Sequence, residues 1–248
     1  MTASASRPQP IGPQLALAVA LRETATFDSF EMGANAAAVA ALRRLAAGGA
    51  EAGILLHGPA GRGKTHLLQA TAREATQRGR RAAYLPIARL AGEDPAALVG
   101  FERLELLCFD EIEPALESAA LAPRLLRLLD AVRAHGGGYA LAAASPPQRL
   151  PCDLPDLRTR LSACAVFGLK PLDERGLRAL LIARARSRGL ELTPEVADFL
   201  LRRLPRAPAA LLEALEELDR GSLSAQRRLT IPFVQQMLAR SDGRAGSG

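Results

Sequence analysis

Short apolar runs alternate with amphipathic stretches along the first two thirds of the chain. The apolar runs predict β-strands at about 53–56, 81–86, 104–111, 139–144 and 164–169. Elsewhere apolar residues recur every three or four positions and predict helices at about 35–47, 64–78, 119–134 and 154–161. Strands that alternate with helices form parallel sheets, because the chain must cross back before it adds each new strand. The pattern therefore predicts an α/β fold.

After residue 170 the periodicity is helical throughout. The pattern predicts helices at about 173–189, 193–204, 208–219 and 230–239. Asp173 is suited to cap a helix, and Pro194 and Pro208 are suited to the first turn of one. We therefore expect a small all-helical domain over 171–240 and a disordered polar tail over 241–248.

A glycine-rich segment joins the first strand to the helix that follows it. Its pattern, G-x-x-x-x-G-K-T, is typical of a loop whose backbone N–H groups and helix N-terminus hold phosphate oxygens. We expect Lys64 to reach the β- and γ-phosphates of ADP or ATP, and Thr65 to hold Mg²⁺. Lysine occurs only at positions 64 and 170, which favours a specific role for Lys64. The candidate nucleotide-binding residues here are Gly58, Pro59, Ala60, Gly61, Arg62, Gly63, Lys64, Thr65 and His66.

Two carboxylates follow the third predicted strand. We expect Asp110 to hold the hydration shell of Mg²⁺ and Glu111 to polarise an attacking water, as a candidate catalytic residue. Glu113 is expected in the following loop, solvated. At the end of the next strand Ser145 is a candidate sensor of the γ-phosphate, and it is equally well explained as the start of the turn at Pro146.

Arg160 precedes the last predicted strand. An arginine at this position can reach the nucleotide of a neighbouring subunit, where its fixed charge stabilises the γ-phosphate in the transition state. Arg160 is therefore a second candidate catalytic residue. The alternative is that Arg158 and Arg160 are both simply solvated.

The first 22 residues are predicted to be an N-terminal arm. Residues 1–13 are polar and proline-rich, unlike a signal peptide, and a segment of alternating apolar residues follows. This segment could dock in a hydrophobic groove of a partner through Gln14, Leu15, Leu17 and Val19. The ordinary alternative is a strand or helix packed on the chain's own core.

Charge and cysteine content exclude several classes of protein. The net charge of +6 is not gathered in one block, so strong direct binding to DNA is not expected. The three cysteines are odd in number and widely spaced, which argues against a disulfide framework and a metal site. No apolar run is long enough to span a bilayer, and we expect a cytoplasmic protein without a membrane partner.

Taken together, these motifs resemble the AAA+ family. Residues 26–30 and 61–68 are similar to the nucleotide domain of the replication initiator DnaA and its relatives. Residues 218–234 resemble the C-terminal signature of the Hda family of DnaA regulatory inactivators. The resemblance extends over about residues 14 to 238, nearly the whole chain.

The resemblance implies a specific function. It implies a negative regulator of replication initiation that binds ADP or ATP, docks on the sliding clamp of DNA polymerase III, and promotes hydrolysis of DnaA-bound ATP. Gln14 to Val19 then match the clamp-binding peptide, and Arg160 matches the arginine finger. The implied organisation is an arm over 1–22, an AAA+ α/β domain over 23–170 and a helical lid over 171–240. Homo-oligomerisation is left open.

Two positions depart from the family pattern. Ala209 stands where relatives have a nucleotide-sensing arginine, and Arg206 is a candidate substitute from the preceding turn. Ala144 stands where relatives have an acidic residue, leaving Ser145 beside it. We therefore expect weak or no ATP hydrolysis by this chain itself. The alternative function is that of an ATP-dependent loader or remodeller acting on DNA.

Overall fold

The computed structural model describes residues 24–49, 53–90, 98–225 and 229–245. The strands are β1 (Gly53–His57), β2 (Ala82–Pro86), β3 (Leu106–Asp110), β4 (Gly138–Ala143) and β5 (Ala165–Gly168). The helices of the first part are α1 (Ala36–Ala46), α2 (Lys64–Gln77), α3 (Ile87–Leu90), α4 (Glu113–Glu117), α5 (Ala122–Ala134) and α6 (Pro155–Ser162). The second part contains α7 (Glu174–Ser187), α8 (Pro194–Arg203), α9 (Pro208–Ala225) and α10 (Ile231–Ala245).

The five strands form one parallel sheet with the order β2-β3-β4-β1-β5. The chain places β2, β3 and β4 on one side of β1 and then crosses to place β5 on the other side. Parallel strands at such a point leave a crevice beyond their carboxyl ends, where ligands bind in open α/β sheets. The glycine-rich segment over 58–66, which we call the phosphate loop, follows β1, so the topology puts it at this crevice.

Helices cover both faces of the sheet, as the alternation predicted. One face packs against α5 and α6 through residues such as Leu125, Leu129 and Leu157. The other face packs against α1 and α2 through residues such as Leu42 and Leu67. The α/β prediction is therefore confirmed.

The last four helices form a separate hydrophobic cluster that includes Leu181, Leu200, Leu215 and Val234. This confirms the predicted helical lid. Helix α9 is longer than predicted, because Gly221 does not end it but lies against the side chain of Met237. Helix α10 also continues past 239 to Ala245, since a helix that has been nucleated adds further turns readily. The prediction of a disordered tail is therefore wrong for 241–245, while 246–248 lie outside the described residues.

Within the described ranges, no helix has both the length and the apolar character of a transmembrane span. All three cysteines are buried and carry free thiols.

Candidate nucleotide-binding site

A cavity of about 660 Å³ lies beyond the carboxyl ends of the strands, between the sheet and the helical lid. Its walls come from residues 24–35, the phosphate loop, the ends of β3 and β4, and the lid. Its volume is in the range of small-molecule and cofactor sites. Ala60 to His66, Asp110 and Glu111 line this space. Four other predicted site residues do not line it: Gly58, Pro59, Ser145 and Arg206.

The phosphate loop borders this cavity from Ala60 to His66. Gly63 has φ of +89° and lies so close to the Phe30 ring that a Cβ would overlap it. The Nζ of Lys64 donates hydrogen bonds to the carbonyl oxygens of Gly58, at 2.5 Å, and Pro59, at 3.1 Å. Partial burial lowers the pKa of Lys64, and the charge of Asp110 opposes this shift. The ammonium of Lys64, which lines the cavity, is thus held by carbonyl oxygens of its own loop.

His66 fixes the segment ahead of α1 to the start of α2. Its Nε2 lies 2.8 Å from the carbonyl oxygen of Thr26 and 3.4 Å from Oγ of Ser29. The centroid of its ring is 5.5 Å from that of Phe30. Ser29, Phe30 and His66 all line the cavity. The segment is therefore a wall of the site.

Asp110 is buried at the end of β3, and its orientation is fixed by two donors. The hydroxyl of Tyr84 donates to Oδ2 at 2.7 Å, and the backbone N–H of Glu111 donates to Oδ1 at 3.1 Å. Burial and the charge of Asp110 raise the pKa of Tyr84, so its hydroxyl keeps the proton it donates. A carboxylate has about four acceptor positions, so Asp110 can still accept hydrogen bonds from the waters of a hydrated Mg²⁺. With Thr65 exposed on the same cavity, the donor set fits that ion.

The two glutamates after Asp110 differ in their surroundings. Glu111 is exposed and has φ of +52°, a left-handed conformation that is unusual for a residue other than glycine. Glu113 is the first residue of α4, and its Oε1 accepts a hydrogen bond from the backbone N–H of Ala144 at 2.5 Å. Both side chains line the cavity. The prediction that Glu113 lies solvated in a loop is wrong, because Pro114 allows a helix to begin there.

The lid contributes a cation that the sequence analysis missed. Arg184 of α7 lines the cavity, as do Leu180 on the same helix and Ala209 on α9. Arg206 does not line it, and its Nη2 instead pairs with Oε2 of Glu174 at 3.1 Å. Ser145 is half-buried and also lies outside the lining. The sequence does contain a signal for Arg184, because it lies four residues after Leu180 and so on the same face of a predicted helix.

Lys170, the second lysine, also lines the cavity. Its backbone is fixed by Asn35, whose Oδ1 accepts from Lys170 N at 2.8 Å and whose Nδ2 donates to Lys170 O at 3.1 Å. At the end of β1, burial and then the charges of Lys170 and Lys64 lower the pKa of His57. The positive charges of the two lysines therefore act on His57 at this end of β1.

Arg160 lies on α6 and is not part of the cavity wall. Its guanidinium forms an ion pair with Asp130 of α5, while its Nε is buried without a hydrogen-bond partner. The exposed Arg158 bonds instead to the carbonyl oxygen of Cys152. Arg160 is thus held apart from the cavity of its own chain. The predicted docking residues Gln14, Leu15, Leu17 and Val19 lie outside the described residues.

Comparison with known proteins gives two family matches. Residues 173–238 match the family described as Hda, lid domain, and residues 21–92 match the bacterial DnaA ATPase domain.

Solved structures with the same fold include replication initiators. Domain III of the Thermotoga maritima replication initiation protein DnaA aligns with a TM-score of 0.75 and 20% identity, over 89% of this chain and 98% of that one. Replication initiator DnaA bound to AMPPCP and single-stranded DNA aligns with a TM-score of 0.67 and 22% identity, over 84% of this chain and 70% of that one. AMPPCP-bound DnaA from Aquifex aeolicus aligns with a TM-score of 0.64 and 24% identity, over 73% of this chain and 61% of that one.

Proposed function

Since the chain belongs to the Hda- and DnaA-related AAA+ family, we propose that it is a negative regulator of DNA replication initiation. It acts as a nucleotide-bound adaptor that docks on the DNA polymerase sliding clamp and promotes hydrolysis of the ATP held by DnaA. The observation that carries the proposal is the match of residues 173–238, because it points to Hda in particular. The match over 21–92, by contrast, is to DnaA.

In this proposal the cavity binds ADP or ATP. The phosphate loop with Lys64 supplies the donors for the phosphate chain, and two solved relatives of this fold are bound to the ATP analogue AMPPCP. Thr65 and Asp110 would hold Mg²⁺, which when bound neutralises part of the phosphate charge. The hydrogen bond from Tyr84 restricts the orientation of the Asp110 carboxylate, which supports this role.

Hydrolysis by the chain itself is expected to be weak or absent. Neither Ala144, directly after β4, nor Ala209, at the start of α9, offers a polar side chain to the cavity. Glu111, exposed at the cavity, would polarise the attacking water, but hydrolysis would still be weak without polar side chains at those two positions. Bound nucleotide would therefore serve mainly to order the lid on the α/β domain.

Arg160 acts on a second molecule in this proposal. It lies outside the lining of its own cavity, and its ion pair with Asp130 restricts the guanidinium to one region of the surface between α5 and α6. We place the nucleotide of DnaA against this surface. There a guanidinium stabilises the charge that develops on the γ-phosphate oxygens.

The arm brings the two proteins together. Gln14, Leu15, Leu17 and Val19 form the clamp-docking peptide of the proposal, so activity requires a clamp loaded on DNA. Because linked binding sites raise the local concentration, docking on one clamp would favour the encounter with DnaA.

The test is a reconstitution with purified DnaA–ATP, sliding clamp and DNA, in which release of phosphate is followed. We expect the chain to accelerate hydrolysis only when the clamp is loaded on DNA. No acceleration under any of these conditions would contradict the proposal. If DNA alone stimulated ATP hydrolysis by this chain, with binding that weakens steeply with salt, the loader or remodeller function would replace it.

A further inference from the structure

Among the residues that the structure describes, the lid side of the cavity is apolar apart from one charged side chain. Its apolar lining residues are Pro171, Leu172, Leu180, Pro208, Ala209 and Leu212. The charged residue is Arg184, which is half-buried and lies one helical turn after Leu180 on the same face of α7. Within the described part of the lid, Arg184 is therefore the one cation that the cavity wall offers to a ligand.

Other arginines of the lid are tied to acidic residues within the lid. Nε of Arg178 contacts Oδ1 of Asp198 at 2.5 Å, and Nη2 of Arg188 contacts Oε1 of Glu216 at 2.5 Å. Arg206 pairs with Glu174. These ion pairs join one part of the lid to another, and none of the three arginines lines the cavity.

Arg184 differs from them, because its guanidinium makes no ion pair or hydrogen bond to the side chains that the structure describes. Acidic groups are present in the same cavity, at Asp110, Glu111 and Glu113, but none of them contacts it. A guanidinium has five donors and favours an anionic, planar or tetrahedral acceptor group. Phosphate has the charge and the geometry to fill this role.

We propose that Arg184 is the contact of the lid with the phosphate groups of a nucleoside di- or triphosphate. The phosphate loop holds the same groups from the α/β domain through Lys64. A nucleotide that contacts both Lys64 and Arg184 joins the lid to the α/β domain. Arg184 then supplies from α7 the positive charge that Ala209 of α9 lacks. This inference rests on nucleotide binding in the proposed function and is independent of DnaA and the clamp.

Titration calorimetry of the full-length protein with ADP and with adenosine tests the inference. Arg184→Ala should weaken ADP binding by about tenfold or more, the size of effect of a charge-assisted hydrogen bond, and leave adenosine binding within about twofold of the parent. Arg184→Lys, which keeps the charge, should retain part of the ADP affinity. Arg186→Ala is the matched control, since Arg186 is exposed on the same helix and lies outside the cavity lining.

Melting temperatures without ligand separate a binding effect from a folding defect, because only a binding effect leaves them unchanged. ADP affinity equal to that of the parent in Arg184→Ala would overturn the inference and leave the site intact. An equal loss for adenosine and ADP would also overturn it, since the guanidinium would then contact the base or ribose. If the parent protein bound no ADP, the assignment of the cavity as a nucleotide site would be contradicted, and the inference with it.

Discussion

The carboxylate of Glu113 and the backbone N–H of Ala144 form a hydrogen bond with 2.5 Å between Oε1 and N. It joins the first residue of α4 to the residue that follows β4, so that the ends of β3 and β4 are connected through one side chain. Because both residues line the cavity, as Asp110 does, this bond shapes part of its wall.

Glu113→Ala should lower the free energy of unfolding by about 1 kcal/mol, the usual contribution of one hydrogen bond. Glu113→Gln should cost less, because an amide oxygen can still accept from Ala144. Urea denaturation measures both. Glu117→Ala, at an exposed position on the same helix, is the control and should lie within about 0.5 kcal/mol of the parent. Equal values for Glu113→Ala and Glu117→Ala would show that the bond does not stabilise the fold.

Lys64→Ala should abolish binding of ADP and ATP, because it removes the ammonium of the phosphate loop. Without nucleotide its melting temperature should stay near that of the parent. With nucleotide only the parent should gain stability, since a ligand stabilises a protein through its affinity for the folded state. Calorimetry that gave the variant and the parent the same affinity would contradict the assignment of the phosphate loop.

His57 provides a prediction about pH. Its pKa is lowered in the folded protein by burial and by the charges of Lys170 and Lys64, whereas in the unfolded chain it titrates near about 6.5. At pH values between these two pKa values the unfolded state binds more protons than the folded state, so protonation favours unfolding. The free energy of unfolding should therefore decrease as pH falls from 7 through about 6.5 toward the folded-state pKa, and the His57 contribution should stop changing below it.

Substitution of His57 by Gln should make this part of the pH dependence smaller. Denaturation at several pH values, with the parent measured in parallel, gives the difference. An NMR titration assigned with the His57→Gln variant measures the pKa directly. A value at or above about 6.5 would contradict the electrostatic description of this end of β1.

The phosphate loop, the strand that ends at Asp110 and the alternation of elements could be predicted because they depend on local sequence. Glu113 and Arg184 were missed for a different reason. Each reaches the cavity only through tertiary structure: Glu113 of α4 bonds to the residue after β4, and Arg184 of α7 lines the cavity from the lid. Arg206 was expected to face the site on the basis of its sequence position, yet Glu174 holds it elsewhere.

Replacement of Gln14, Leu15 and Leu17 by Ala should remove binding to the sliding clamp. A few anchors dominate small peptide interfaces, so their combined loss should cost several kcal/mol, on the order of a hundredfold or more in affinity. Binding of ADP should stay at the level of the parent. Retention of the triple variant on immobilised clamp would show that the arm is not the docking segment.

The central claim is that Arg160 acts in trans on the nucleotide of DnaA. The most direct measurement is the rate of hydrolysis of DnaA-bound ATP on clamp-loaded DNA, with Arg160→Ala and Arg158→Ala compared to the parent. An arginine finger contributes on the order of 10³–10⁵ in rate, so Arg160→Ala should lose most of the stimulation while keeping nucleotide and clamp binding. Arg158→Ala should remain active. Full activity in Arg160→Ala would contradict the claim, and loss of activity in Arg158→Ala alone would identify Arg158 as the finger instead.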